Sequence, residues 1–415
     1  MEQTKKYNLA TFFCLYIAQN IPMSFFSTVI PVMMRQEEFS LSSIGMLQLM
    51  KLPWILKFLW SPVVDGNSRN VTDYKRWIIT SEVVYAFLIF GVAFLDFKAD
   101  FITIMICLIM SFMASATQDI ATDALAVRSF VTKDKSLINS MQSMGSFSAS
   151  LIGGGLLLIL FRSIGWNAII PFLGVFVLLA ILPLILNKNI VIPDEDQIRP
   201  KARKRDVLLF FTQKGIWKQI VFLFLYYSGI IGTLAMLKPY LVDLGYNMHE
   251  IGIMSGIIGT VSGFVASFCG GIIVRRIGVS WSRIIFSVMT LLTTAYFWML
   301  SFTVPGTFML NLGIILLWAS YGMSTIVVYT TSMNMVRPGR EGTDFTLQTV
   351  VTHISGILMA VFCGKIADMA GYSGLFGFET GIALVSFLYV IWAFGLRSRI
   401  LLSNNTSVRI KSQKR

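Results

Sequence analysis

Apolar runs of roughly 20 residues or more follow one another along almost the whole chain, broken only by short polar stretches. A helix of that length crosses the ~30 Å hydrocarbon core of a bilayer and satisfies its own backbone N–H and C=O groups while doing so. Twelve such runs can be marked, at about 8–34, 41–63, 77–96, 101–127, 137–161, 166–187, 216–242, 249–274, 284–303, 306–335, 345–369 and 374–396. The fold class they dictate is all-α and polytopic. A mean hydropathy of +0.72 with only 13% charged residues agrees, and excludes a soluble globular enzyme.

The basic residues gather on one side of these spans. Lys5, Lys6, Arg69, Lys75, Arg76, Arg128, Lys133, Lys135, Arg199, Lys201, Arg203, Lys204, Arg205, Arg275, Arg276, Arg337 and Arg340 share it with the tail from Arg397 to Arg415. The opposite loops hold Arg35, Lys98 and Arg162. The positive-inside rule then makes both termini cytoplasmic, as an even number of spans requires. A net charge of +13 is thereby explained by orientation and by attraction to anionic membrane lipids, with no nucleic acid implied. Lys5 and Lys6 ahead of an apolar run superficially resemble a secretory signal. That run reaches Met34 without a small-residue cleavage site, so it is expected to remain as the first span. Cys14, Cys107, Cys269 and Cys363 fall inside spans without CxxC spacing, and imply neither a disulfide nor a metal.

The polar stretch between Asn187 and Gly215 divides the spans six and six. The expected organisation is an N-terminal six-helix bundle over 1–187, a cytoplasmic linker over 188–215, a C-terminal six-helix bundle over 216–397 and a basic tail over 398–415. The halves echo each other at an offset of roughly 206–210 residues. Leu15-Tyr16 recurs as Leu225-Tyr226, Ile44-Gly45 as Ile251-Gly252, and Asn139-Ser140-Met141-Gln142 lies where Phe345-Thr346-Leu347-Gln348 lies. Duplicated halves place a transporter's binding site near the midplane between them. Gly252, Gly256, Gly259 and Gly263 form a small-residue stripe on span 8, suited either to static packing or to a sliding surface.

Ionisable residues inside spans are functional candidates. Asp119 and Asp123 are spaced i,i+4 and share one face of span 4, in its cytoplasmic third. Span 2 runs the same way, so Lys57 sits at similar depth and can pair with one of them. Such a pair is either a static tie between spans or a gate and proton relay. His353 lies about 15 Å into span 11 and is either a hydrogen-bonded core histidine or a proton carrier. With His249 in a loop as its only companion, a metal site is not expected. Paired aspartates also hold diphosphate in intramembrane prenyl transferases, but Thr330-Thr331-Ser332-Met333-Asn334 in the facing region offers no acid. No Walker A sequence is present, and neither an enzymatic activity nor a cofactor is expected.

Three segments carry a family resemblance: Leu15-Tyr16-Ile17-Ala18-Gln19-Asn20-Ile21-Pro22, the run from Leu52-Pro53-Trp54 through Lys57 and Trp60-Ser61-Pro62 to Asp65, and Gln118-Asp119-Ile120-Ala121-Thr122-Asp123-Ala124. They resemble the branch of the major facilitator superfamily that holds bacterial muropeptide permeases, siderophore permeases of the pyochelin and rhizobactin type, and eukaryotic acetyl-CoA transporters. Asn20 stands where that branch usually has Gly. In the second half, Gly342-Thr343-Asp344-Phe345-Thr346-Leu347-Gln348 looks more like the siderophore permeases.

The resemblance implies a monomeric, proton-driven importer of a small organic solute in a bacterial inner membrane, with a siderophore favoured and a muropeptide or an exported amphipathic solute as alternatives. It implies a cavity lined by spans 1, 4, 7 and 10. That nominates Tyr16, Gln19, Asn20, Gln118, Tyr226, Tyr227, Tyr321 and Tyr329 as wall residues, with Gln348 from span 11. Proton coupling falls to Asp119, Asp123, Lys57 and His353. A latch on the cytoplasmic side falls to Asp65, Arg69, Arg76, Arg128, Arg275, Arg276 and Asp344.

Overall fold

The computed structural model describes residues 2–36, 50–97, 99–193 and 199–395. The start of the expected second span (41–49), the acidic 194–196 and the basic tail 398–415 lie outside them. The described residues are helical, with no strand among them. The first half holds α1 (Glu2–Gln36), α2 (Leu52–Leu56), a 3₁₀ turn (Lys57–Leu59), α3 (Ser61–Gly66), α4 (Val71–Val92) and α5 (Phe101–Ser129). Next come α6 (Lys135–Leu151), a π-helical turn (Ile152–Leu156), α7 (Leu157–Ile164), α8 (Trp166–Ala180) and α9 (Leu182–Leu186). After a short α10 (Asp206–Phe210), the second half holds α11 (Ile216–Asp243), α12 (Met248–Ile251), a second π segment (Gly252–Gly259), α13 (Thr260–Ile277), α14 (Val279–Leu300), α15 (Thr307–Asn334) and α16 (Glu341–Phe394).

At 54 residues α16 is far too long to be one rod. Gly371 has φ 66°, in the region where a Cβ would clash, and the chain reverses there. Cys363 Sγ comes within 3.0 Å of Glu379 Oε1, whereas 16 residues of straight helix would hold them about 24 Å apart. With its arms counted separately, and with the 22-residue α4, the described residues hold eleven helices of membrane length. The expected second span is described only from residue 50, so twelve rests partly on residues outside the described set. Helix starts differ from the expected boundaries where polar turns continue the helix. α4 begins six residues before 77 because Asn70 and Asp73 form a reciprocal capping box.

Apolar packing is concentrated in each half. Phe25, Phe26, Ile89, Leu108, Phe112 and Ile170 anchor one core in the first, and Leu237, Phe297, Ile314 and Phe376 anchor one in the second. The halves meet most closely at the end carrying residues 66–71, 129–135 and 334–341, called here the linker end. There α6 lies against α13 and α15. Ser136 Oγ donates to Gly271 O at 2.9 Å, Ser140 Oγ to Ser267 O at 2.9 Å, and Lys135 Nζ to Met333 O at 2.7 Å.

Candidate functional site

The run 50–66 does not make one smooth helix. Pro53 opens α2 and the 3₁₀ turn follows, so Lys57 points inward, 2% exposed. Its ammonium is ion-paired with Asp119 and lies 5.0 Å from the Trp54 ring centre. Asp119 also accepts from Gln19 Nε2 at 2.9 Å. Asp123, one turn on, is not the lysine's partner. It accepts from Tyr16 Oη at 2.8 Å and Gln142 Nε2 at 3.4 Å. The two carboxylates of α5 thus bind α1, the 50–66 segment and α6 together at one depth.

This network borders a cavity of about 800 Å³ between the halves. Of the residues nominated from sequence, Gln19, Asn20, Lys57, Asp119, Asp123, Tyr227, Tyr321, Tyr329 and His353 line it. Four nominations to its wall are corrected. Tyr16 is fully buried behind the cavity, where its hydroxyl is committed to Asp123. Gln118 is turned into the first half, about 100° around α5 from Asp119. Tyr226 donates to Arg283 O at 3.0 Å within the second half. Gln348 sits at the linker end, donating to Ser332 O, Met335 O and Asp344 O, each at 3.1 Å. Nomination by span number cannot tell which face of a helix looks inward, and these four lie on the wrong faces.

Sequence reasoning missed Lys51, Trp54, Gln142, Thr349 and Thr352 on the wall. The rule that nominates Lys57, an ionisable residue in an apolar run, applies equally to Lys51. Lys51 has no ion partner among the described residues, so the cavity carries one compensated and one uncompensated lysine.

At the linker end the Asp65 carboxylate reaches across to the second half. It accepts from Gly342 N at 3.1 Å and from Thr343 N and Oγ1 at 2.7 Å, at the start of α16, whose N-terminus favours negative charge. The other latch nominations divide. Arg275 pairs at 2.9 Å with Asp134, which Lys5 also contacts, so it does bridge the halves. Arg128 stays within its own half, donating to Arg69 O at 2.8 Å and stacking over Tyr74. Arg69 enters through that carbonyl and its own N–H, which donates to Asp73. Asp344 pairs with Arg337 seven residues away, inside the second half. Arg76 and Arg276 are exposed and make no ion pair among the described residues. The linker supplies what they do not. Arg199 pairs with Glu341, and Asp206 binds Arg340 at 2.8 Å while its carbonyl accepts from Arg337 at 2.8 Å. An acid beside basic loops was visible in sequence, but Asp134, Asp206 and Glu341 gain meaning only through the fold.

Burial raises Asp65 from 3.8 to about 7, although its hydrogen bonds from Thr343 and Gly342 oppose the shift. Were the linker end to open, Asp65 would regain water and an ordinary carboxylate value, so closing would take up a proton. The closed form is therefore favoured at low pH and loses ground as pH rises from about 4 through about 7. Distances between spin labels across the linker end should lengthen over that window in the native protein, and Asp65→Asn should flatten the response. An identical titration in the variant would remove Asp65 from the latch.

A family model for the Major Facilitator Superfamily matches residues 9–360. The chain is 21% identical over 387 residues to the anhydromuropeptide permease of Escherichia coli strain K12, covering 91% of this chain and 78% of that protein. It is 22% identical over 407 residues to the putative transporter AmpG 4 of Rickettsia conorii, covering 94% and 97%. Among solved structures it matches a bacterial homologue of the iron transporter ferroportin in an outward-facing state, with a TM-score of 0.70 at 16% identity over 93% of this chain and 98% of that one. FucP in its outward conformation matches with a TM-score of 0.68 at 15% identity, over 94% and 98%. At these identities the structural matches speak to fold alone.

Proposed function

The chain belongs to the major facilitator superfamily, and on that premise we propose that it imports a muropeptide or related peptidoglycan fragment, driven by protons. It is a multi-pass membrane transporter and not an enzyme. The carrying observation is the cavity between the halves that holds a buried Lys57–Asp119 pair and is closed off at the linker end.

A siderophore was the first expectation, from the 342–348 motif. That segment lies at the linker end, where Asp344 and Gln348 serve local contacts, so it says nothing about the solute. The relatives named as muropeptide permeases support the alternative. So does the wall, since Trp54, Tyr227, Tyr321 and Tyr329 offer faces for sugar rings, and Lys51 offers a cation for a peptide carboxylate. The volume falls within the range of about 300–1,000 Å³ common for organic ligands.

In this reading residues 1–187 and 216–397 rock as two bundles about the cavity, tethered by 188–215, with the linker end cytoplasmic in a bacterial inner membrane. Protonation of Asp119 or Asp123 weakens the hold on Lys57 and the α1–α5–α6 network, coupling the gradient to closure. His353 borders the same space and is the third candidate for that proton. The test is uptake of labelled anhydro-muropeptide into vesicles from cells lacking their own permease. Accumulation that collapses with a protonophore is expected. Uptake of iron-loaded siderophores instead, with none of the muropeptide, would overturn the substrate.

A further inference from the structure

Glu82 is the most isolated carboxyl among the described residues. It lies halfway along α4, is fully buried, and neither carboxyl oxygen has a hydrogen-bond partner among the described residues. The contrast with the other buried carboxyls is sharp. Asp119 has Lys57 and Gln19, and Asp123 has Tyr16 and Gln142. Glu379 accepts from Cys363 Sγ at 3.0 Å and from Thr233 N at 3.4 Å. An ionised Glu82 would have no donor and no counter-charge, a heavy penalty inside a bilayer protein. A structural role would call for a hydrogen bond or an ion pair, and Glu82 makes neither among the described residues.

What surrounds it is polar without being charged. α5, packed on α4, carries Ser111, Ser115, Gln118 and Thr122, all fully buried and spaced by four, three and four residues, which is one helix face. Both side-chain ends of Gln118, and the hydroxyl of Thr122, are also without hydrogen-bond partners among the described residues. Tyr85, one turn along α4 from Glu82, interacts with both Glu82 and Ser115. Its hydroxyl lies 3.5 Å from Gln19 O, and Gln19 Nε2 in turn donates to Asp119. Glu82 is 11 residues from the linker-end start of α4, and Asp119 is 10 residues from the linker-end finish of α5. By helix rise both lie about 16 Å deep. α8, also packed on α4, contributes no titratable side chain. The titratable groups nearest along this column are therefore Tyr85, then Tyr16, Asp119, Asp123 and Lys57.

We propose that Glu82 is a second proton-binding site of the transport cycle, lying at the depth of Asp119 and separated from it by a buried polar column of Tyr85, Gln19 and the serine, glutamine and threonine face of α5. It rests on the proton-driven reading above. With the linker end closed, Glu82 holds a proton. When the bundles move and water wets the polar face of α5, the O–H bond of Glu82 breaks, the proton crosses on that water, and an O–H bond forms on Asp119. Glu82 is left a carboxylate, Asp119 becomes neutral, and the Lys57 ammonium loses its counter-ion. Lys57 is then free to meet an anionic group of the solute in the cavity it borders. The column would let the proton travel inside the first half while the solute travels between the halves.

The test needs no solute for its first arm. Infrared pH-difference spectra of the purified protein in bilayers should contain the carbonyl stretch of a protonated carboxyl that titrates. Glu82→Gln should remove that band, and Asp119→Asn should leave it. In vesicles, Glu82→Gln should still equilibrate labelled anhydro-muropeptide down its gradient, but its accumulation should fall at least tenfold. A band that survives in Glu82→Gln, or native accumulation by that variant, overturns the proposal. Should the Gln variant fail to insert, Glu82→Asp replaces it: a displaced band supports the assignment and an unmoved one defeats it. A native protein indifferent to the proton gradient would sink the proton-driven reading, and the band comparison would still decide for or against Glu82.

Discussion

Lys57→Ala should cost about 3–5 kcal/mol of stability, and adding Asp119→Asn should return most of it. The structure gives the reason. Both members of the pair are 2% exposed, so removing the lysine strands a carboxylate with only the Gln19 amide for company. Neutralising that carboxylate removes the stranded charge. The rescue is specific, because Asp123 answers to Tyr16 and Gln142, and Asp123→Asn should therefore return little. Thermal melting of the purified variants in a double-mutant cycle measures the coupling. Equal rescue by either aspartate would show that the lysine is shared between them. Transport separates the pair's static role from its dynamic one. Asp119→Asn should insert and fold yet lose accumulation against a gradient, whereas normal accumulation would leave the pair as a tie between helices and nothing more.

How far the sequence could see is clearest along α5. The i,i+4 spacing of Asp119 and Asp123 and the depth of Lys57 were enough to expect a buried ion pair, because helix rise converts residue number into depth with little error. Choosing between the two aspartates was beyond it. That depends on the 3₁₀ turn at Lys57–Leu59, which rotates the lysine towards Asp119. Rotation about a helix axis is also what misplaced Tyr16, Gln118, Tyr226 and Gln348. Span membership is legible from hydropathy, but facing is set by partners on other helices, 107 residues away for Tyr16 and 57 for Tyr226. The latch shows the same limit. Asp65 was legible beside its basic loop, while its acceptors' donors, the amides of Gly342 and Thr343, carry no side-chain signal at all for two of its three contacts. Glu82 was legible in principle, as a lone carboxylate in an apolar run. What hid it is that its lack of a partner shows only in the packing.

The glycine stripe of span 8 is a different case, since its spacing was visible but its two ends differ: an added Cβ at Gly259 would come within 2.4 Å of the Trp318 ring, and at Gly263 within 2.8 Å of Phe147 on α6 of the other half. An added Cβ at Gly252 or Gly256 would meet nothing within 4 Å. At Gly271, beyond the stripe, it would come within 1.9 Å of Ser140 Oγ and 2.9 Å of the Ser136 carbonyl oxygen. These atoms belong to α6, on the other half, and the same surface carries the Ser136–Gly271 and Ser140–Ser267 hydrogen bonds. A serine hydroxyl can rotate away, but a helix carbonyl cannot, so the halves must separate. Gly271→Val should therefore disfavour the closed linker end by about 3 kcal/mol, a shift of roughly 100-fold in the closed-to-open ratio. Gly256→Ala, about four turns of helix away from that contact and facing open space, should change almost nothing. Cysteine accessibility at the linker end reads the ratio directly. Gly271→Val should label faster from the linker side and stop accumulating solute, while still binding it. Adding Ser140→Ala should recover only part of the loss, because the Ser136 carbonyl remains. Full recovery would mean that the hydroxyl alone sets the approach of the halves, and unchanged labelling would mean that α6 and α13 are not the surfaces that part when the protein opens.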